Sequence, residues 1–204
     1  MTQPVVVGQM LGVAAHRGRF VSTAGARPGD VVVQVGGAPI EAATVLAVEA
    51  ADRLGGLEPD IVRAAAAGLE DPGVSVVDAA LAAAELGATA LHDPTEGGLA
   101  GALHELASAA GAAIRIDRSR VLWFEPGVVV CGALGVDPWA TLASGSLLAT
   151  FAPATAAHAA DELATRGHTT AVIGRVETGK GVRDTLDQTL AWPDRDEVAR
   201  VLAS

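Results

Sequence analysis

The residues best placed to do chemistry lie in one run, Leu91-His92-Asp93-Pro94-Thr95-Glu96-Gly97-Gly98-Leu99. It joins the apolar stretch Ala88 to Leu91 to a segment in which Leu99, Ala102, Leu103, Leu106 and Ala110 recur at helical spacing, so it reads as a strand-to-helix turn. Pro94 keeps Asp93 out of the right-handed helical region, and either Asp93 or Thr95 is suited to cap the helix that follows. The paired glycines, Gly97 and Gly98, let the main chain approach a ligand or another part of the protein closely. The first amides of a helix have no partner within it and favour anions, phosphate above all. Asp93, Thr95, Gly97 and Gly98 are therefore the candidate phosphate-binding set. His92 carries a side chain that titrates near neutral pH; it is either a proton carrier, and so the candidate catalytic residue, or a half-buried histidine at a strand end.

Other residues of chemical interest read as structural. His104 and Glu105 fall on the helix after the turn and are expected at the surface. Cys131 ends the apolar run Val128-Val129-Val130 with no basic neighbour to stabilise a thiolate, which suits a small buried hydrophobe. Gly179-Lys180-Gly181 lacks the upstream Gly and the following Ser or Thr of a phosphate loop and reads as a hairpin turn.

The elements that must position the turn follow from periodicity and punctuation. Val5-Val6-Val7-Gly8-Gln9 and Arg19-Phe20-Val21 read as two short strands, giving an N-terminal hairpin or remnant strand over 1–23 ahead of a single domain over 24–204. Val31-Val32-Val33-Gln34-Val35 is continuous enough for a strand covered on both faces. Helices are expected from Ile40 to Leu54, Asp60 to Leu69 and Asp78 to Leu86, with Val74 to Val77 either a strand or the lead into the last of these. Ala112 to Asp117 alternates as a strand with Arg115 outward, Val121 to Leu134 includes a helix, and Asp137-Pro138-Trp139 has the form of a cap on a short helical turn. Ser146 to Phe151 and Ala171 to Val176 read as strands flanking a helix from Pro153 to Arg166. Gly179 to Arg183 leads to an edge strand, and Asp194 caps a closing helix that ends at Leu202. Alternating strands and helices of this kind indicate a layered α/β or α+β domain.

Composition narrows the function. Half of the 204 residues are hydrophobic, only 3% are aromatic and Tyr is absent, so Ala, Val and Leu must build a closely packed core. A formal charge of −10 provides no electrostatic footprint for nucleic acid and disfavours an anionic membrane surface. The mean hydropathy of +0.37 comes from scattered Ala and Val, not from a run of about twenty apolar residues that would span a bilayer. A single cysteine cannot form an internal disulfide, and the start of the chain does not resemble a secretory signal, so a reducing, cytoplasmic setting is expected.

Several stretches, in order, resemble the C-terminal domain of the superfamily that includes aminoimidazole ribonucleotide (AIR) synthase, or PurM, thiamine monophosphate kinase, selenophosphate synthetase and the hydrogenase maturation factor HypE. Gly25-Ala26-Arg27-Pro28-Gly29-Asp30-Val31-Val32-Val33 resembles the first strand of that domain, and His92 to Leu99 is similar to its acidic, glycine-bearing turn, in the HypE form. Leu134 to Trp139, Ser144 to Leu148 and Ile173 to Val176 resemble later loops and strands, so the likeness spans about 25–176. The resemblance implies a mixed β-sheet covered by helices. It also implies a fold used in ATP- and divalent-metal-dependent phosphoryl transfer, in which Asp93 faces a Mg-bound phosphate, where a capping role for Asp93 and Thr95 is the alternative. The family binds nucleotide largely on an N-terminal domain, for which the few residues before Gly25 leave room for at most one strand, and the chain ends Val201-Leu202-Ala203-Ser204 without the terminal cysteine of HypE. The expectation is a contributor of part of an ATP and Mg2+ site, completed by a homo-oligomer or by a separate subunit resembling the N-terminal domain and acting on a small phosphorylated ligand. A non-catalytic scaffold or regulatory domain is the other reading.

Overall fold

The run Val31-Val32-Val33-Gln34-Val35 forms strand β1 (Val31–Val35), and all five residues are buried, as its unbroken apolar character requires. The computed structural model describes residues 7–9, 11–13 and 20–203. Five further strands, β2 (Ala90–His92), β3 (Ala113–Ile116), β4 (Leu147–Phe151), β5 (Thr170–Glu177) and β6 (Gly181–Asp184), join β1 in a six-stranded sheet of order β2-β4-β1-β5-β3-β6. The pairings are antiparallel except for β3 with β6, so the sheet is mixed, as expected for this α+β fold.

Seven α-helices occur among the described residues: α1 (Glu41–Glu49), α2 (Pro59–Ala66), α3 (Val77–Glu85), α4 (Gly98–Ala110), α5 (Glu125–Leu134), α6 (Pro153–Thr165) and α7 (Glu197–Leu202). On one face Val32, Ile114, Leu148 and Ile173 pack against Leu99, Leu103 and Leu106 of α4. On the other, Val33, Leu147 and Phe151 meet Ala83 of α3 and Leu163 of α6. A third cluster joins α1, α2, α5 and α7 through Leu46, Ala65, Val130 and Val201. Each buried Leu or Val contributes about 1.5–3 kcal/mol relative to exposure, and the many alanines let the helices lie close to the sheet and to one another.

Gln34 is the polar exception on β1 and is fully buried. Its Nε2 donates to the carbonyls of Gly36 at 3.0 Å and Leu122 at 2.9 Å, and its Oε1 accepts from the Leu122 amide at 3.0 Å. The side chain thus joins the end of β1 to the segment that precedes α5.

The structure differs from the sequence reading in several places. Of the hairpin expected over 1–23, residues 1–6, 10 and 14–19 lie outside the described residues, while 7–9 and 11–13 carry no regular structure and Phe20 and Val21 form no strand. Val74 to Val76 leads into α3 and is not a strand. The turn at Gly179-Lys180-Gly181 does not close a hairpin: β6 passes β5 and pairs in parallel with β3, which lies between them. The last helix starts at Glu197, capped by Asp196 and not by Asp194, because the Asp196 carboxylate is the one that accepts from the Val198 amide. Among the described residues no helix is long and apolar enough to cross a membrane.

Replacing Gln34 by Leu keeps the shape of the side chain but removes every one of those bonds. We expect a loss of about 1–3 kcal/mol in urea denaturation for each buried group left without a partner, and an unchanged midpoint would show that the buried amide does not hold these segments together.

Candidate functional site

The turn sits where the sequence places it, between the end of β2 and the start of α4. His92 is opposite Leu148 of β4, and Leu148 is opposite Gln34 on its other side, so the turn leaves the same end of the sheet as the loop after β1. Gly97 occupies the N-cap of α4 with φ of 78° and ψ of 0°, and Gly98 follows at φ of 63°. Two consecutive left-handed residues suit glycine, which has no Cβ to clash there.

Neither Asp93 nor Thr95 caps α4, because the cap position is a glycine and no side chain bonds to the first turn from it. Thr95 acts through its carbonyl, which accepts from the Gly98 amide at 3.0 Å and the Ala143 amide at 3.3 Å. The side chains of Asp93, Thr95 and Glu96 are exposed while Pro94 is buried beneath them. The Asp93 carboxylate has no hydrogen-bond partner among the described residues, so an acid and a hydroxyl are presented outward two positions apart.

The two glycines serve different ends. A Cβ at Gly98 would lie 2.6 Å from the Thr141 carbonyl oxygen and 2.7 Å from that of Trp139, so its close approach is to packed main chain. Gly97 offers its amide, and the acceptor is the chain's own Asp196, with Oδ2 at 2.8 Å. Asp196 also caps α7, its Oδ1 accepting from the Val198 amide at 2.8 Å. Burial pushes the Asp196 carboxyl above its ordinary range, against the pull of the amides of Gly97, Val198 and Leu142, and the negative charge of Glu96 adds to the upward shift.

His92 is held on both sides. Its Nε2–H donates to the Glu105 carboxylate at 2.8 Å, and its Nδ1 lies 3.5 Å from Oγ1 of Thr23. Its side chain is 19% exposed, which matches a half-buried histidine at a strand end and leaves one edge accessible. Glu105 lies on the surface as expected, whereas His104 does not: it is buried, donates through Nε2 to the Leu190 carbonyl at 2.8 Å, and stacks on Trp192 at 5.0 Å. The segment around 190–192 folds over α4 and covers a residue that helical periodicity alone puts in solvent.

The partners sequence reasoning missed are Asp196, Thr23 and an ion pair next to the same C-terminal segment. Asp184, almost fully buried, accepts from Arg118 Nε at 2.7 Å and from the amides of Leu186 at 3.0 Å and Gln188 at 2.9 Å. Burial alone would push its carboxyl up; the Gln188 amide, the Arg118 guanidinium and the Leu186 amide outweigh it and hold the group below its usual range. Asp196 alone had a local signal, an acid two residues before the first apolar residue of a helix. Cys131 is buried as expected, and burial pushes its thiol up to about 11, which removes it as a nucleophile. Among the described residues no group of three or more His, Cys, Asp or Glu side chains is placed to hold a metal ion.

Comparison with known proteins gives the turn a context. A family model described as AIR synthase related protein, C-terminal domain, matches residues 27–187. The carbamoyl dehydratase HypE of Cupriavidus necator is 32% identical over 154 residues, which are 74% of this chain and 40% of that protein. The crystal structure of E. coli HypE is similar with a TM-score of 0.70 at 25% identity, covering 89% of this chain and 55% of that one. A hydrogenase maturation protein HypE solved in complex with ATP shares the fold with a TM-score of 0.61 at 22% identity, again covering 89% of this chain and 55% of that one. The chain therefore spans roughly half the length of the relatives it matches.

Asp196 provides a direct test of how the turn is held. Asp196→Ala removes the α7 cap and the acceptor for the Gly97 amide, and should cost about 1 kcal/mol at neutral pH, whereas Asp196→Asn keeps an acceptor and should cost less. The folded-state pKa of Asp196 lies above its unfolded value, so the stability linked to it is fully present below the ordinary carboxylate range and is lost as pH rises through the raised pKa. The stability of the wild type relative to Asp196→Asn should therefore improve as pH falls from neutral into that range. Denaturant titrations of both proteins across a pH series check this, and a difference independent of pH contradicts it.

Proposed function

Because the chain belongs to the family of AIR synthase related proteins, C-terminal domain, we propose that it contributes the phosphate-facing part of an ATP-dependent phosphoryl-transfer site whose nucleotide-binding part is supplied from outside residues 24–204. The observation that carries this reading is the exposed, unpartnered Asp93 carboxylate, next to the Thr95 hydroxyl on the loop between β2 and α4. In this reading Asp93 meets a Mg-bound phosphate and Thr95 donates to a phosphate oxygen. A magnesium ion is commonly held by one or two carboxylates together with substrate phosphates, so one exposed acid fits one side of such a group. In this reading the chain supplies only the phosphate-facing side of the site, and the Gly97 amide, already bonded to Asp196, does not contribute to it. The bound metal would supply charge neutralisation on the phosphate; this chain's part is to orient it. In this reading His92, whose Nε2–H is held by Glu105 and whose Nδ1 faces Thr23, is the candidate proton carrier at the start of the same loop.

A second reading, a binding or scaffold domain that keeps the fold without using ATP, is favoured by the same glycines. Gly98 is spent on packing against Trp139 and Thr141, and the Gly97 amide on an internal carboxylate. The two readings differ in what the outward-facing acid does. They also share an expectation of association, either of the chain with itself or with a subunit bearing the nucleotide domain, which native mass measurement addresses.

Thermal stability measured with Mg-ATP and with phosphorylated small molecules separates them. A ligand at 100 times its Kd stabilises by about 2.7 kcal/mol, so a rise in melting temperature for the wild type that is lost in Asp93→Ala supports the phosphate-facing role. Asp93 has no internal partner to lose, so its variant should fold as the wild type does. No shift with any ligand, or equal shifts in both proteins, leaves the scaffold reading.

A further inference from the structure

A separate cavity of about 370 Å³ opens at the carboxyl end of β1, between the Leu69–Gly73 turn, the start of α3 and the segment 122–124. That volume lies at the small end of the range for ligand pockets. Its walls are built before any ligand arrives. Gln34 joins the Gly36 carbonyl to both main-chain groups of Leu122, the Ala38 amide donates to the Leu122 carbonyl at 3.2 Å, and the Phe124 amide donates to the Ala38 carbonyl at 2.9 Å. The Gly36 amide also donates to the Thr169 carbonyl at 2.9 Å. A Cβ at Gly145 would lie 2.9 Å from the Gly73 carbonyl oxygen, and one at Gly36 would lie 2.6 Å from that of Gly145. The loops therefore meet at main-chain distance and hold the cavity's outline.

The chemistry of the lining selects a ligand. Ile40, Val76 and Leu122 provide apolar wall together with Trp123 and Phe124, while Ser75 and Thr169 add hydroxyls and His168 an imidazole. No Asp, Glu, Lys or Arg is among the residues that line it. A charged group entering such a site would give up water without gaining an ionic partner. The Trp123 and Trp139 rings meet in a T-shaped contact at 5.0 Å, and the Arg118 guanidinium lies over Trp139 at 5.4 Å. A lining that combines apolar and aromatic residues with two hydroxyls and an imidazole suits a flat molecule with an apolar face and a hydrogen-bonding edge.

We propose that this cavity binds an uncharged heteroaromatic ring, independently of the Asp93 turn. The loop 141–146 stands between the two: its Ala143 amide faces the Thr95 carbonyl on one side, and its Gly145 lines the cavity on the other.

Nicotinamide and nicotinate are matched probes, nearly identical in shape and differing in charge at neutral pH. Saturation-transfer NMR and intrinsic tryptophan fluorescence would be recorded for the wild type, Ser75→Trp, Thr169→Trp and Asp93→Ala. Ser75 and Thr169 are exposed at the mouth, so either replacement fills the entrance without entering the core, and each serves as a check on the other's folding. Nicotinamide should bind the wild type and Asp93→Ala alike, bind both filled variants at least about tenfold more weakly, and exceed nicotinate by a similar factor. Absence of nicotinamide binding, equal binding of nicotinate, or undiminished binding by the filled variants would overturn the proposal. Loss of binding in Asp93→Ala would overturn its independence from the turn. The phosphate-facing role of Asp93 would be untouched by any of these results except the last.

Discussion

Everything in this fold leans on a strand that has no wet side. β1 is covered on one face by α4 and on the other by α3 and α6, and it pairs with β4 and β5 along both edges. A strand so enclosed must satisfy every polar group it carries. Its main chain does so through the sheet, and its single polar side chain, Gln34, does so by taking up groups from two loops. The demand for satisfaction at the centre thus becomes a device for ordering the periphery, because the groups that meet Gln34 belong to the segments shaping one end of the sheet. A leucine there would bury well and organise nothing.

The turn after β2 follows the opposite logic. It reverses through two glycines, its main-chain bonds go to the protein, and the side chains of Asp93 and Thr95 are exposed. Where a helix start offers free amides to an anion, this chain has already committed one of them to Asp196 from the last helix. That carboxylate sits in partly desolvated surroundings next to the negative charge of Glu96, so the contact is a compromise between hydrogen bonding and electrostatics. The groups still facing outward are side chains, the carboxylate of Asp93 and the hydroxyl of Thr95.

How far the sequence could be read depended on how local the deciding interaction is. The enclosed strand was legible because five consecutive residues carry its signature, and the helical turn at Pro138 because Asp137 accepts from the Trp139 amide two residues on. The turn itself was legible as an element, since Leu91 and Leu99 bracket it with two different periodicities. What failed needed a partner from far along the chain. His104 is buried because residues beyond Leu190 cross over it, His92 is held by Thr23 and Glu105, and β6 chooses β3 over its nearer neighbour in sequence. Asp194 and Asp196 are chemically equal candidates for the closing cap; the acid two residues before Val198 is the one whose carboxylate accepts from the Val198 amide, and it also reaches Gly97.

Cys131 lies within the cluster formed by α1, α2, α5 and α7, fully enclosed and with its thiol held in the neutral form near neutral pH. It is also the one cysteine in the chain. A thiol-reactive dye can therefore reach it only when the helical layer parts, and modification occurs in proportion to the time that layer spends open. The molecule thus carries a built-in clock for its own breathing: the labelling rate under native conditions reads the opening of one layer, separately from the sheet, with no residue altered to make the measurement.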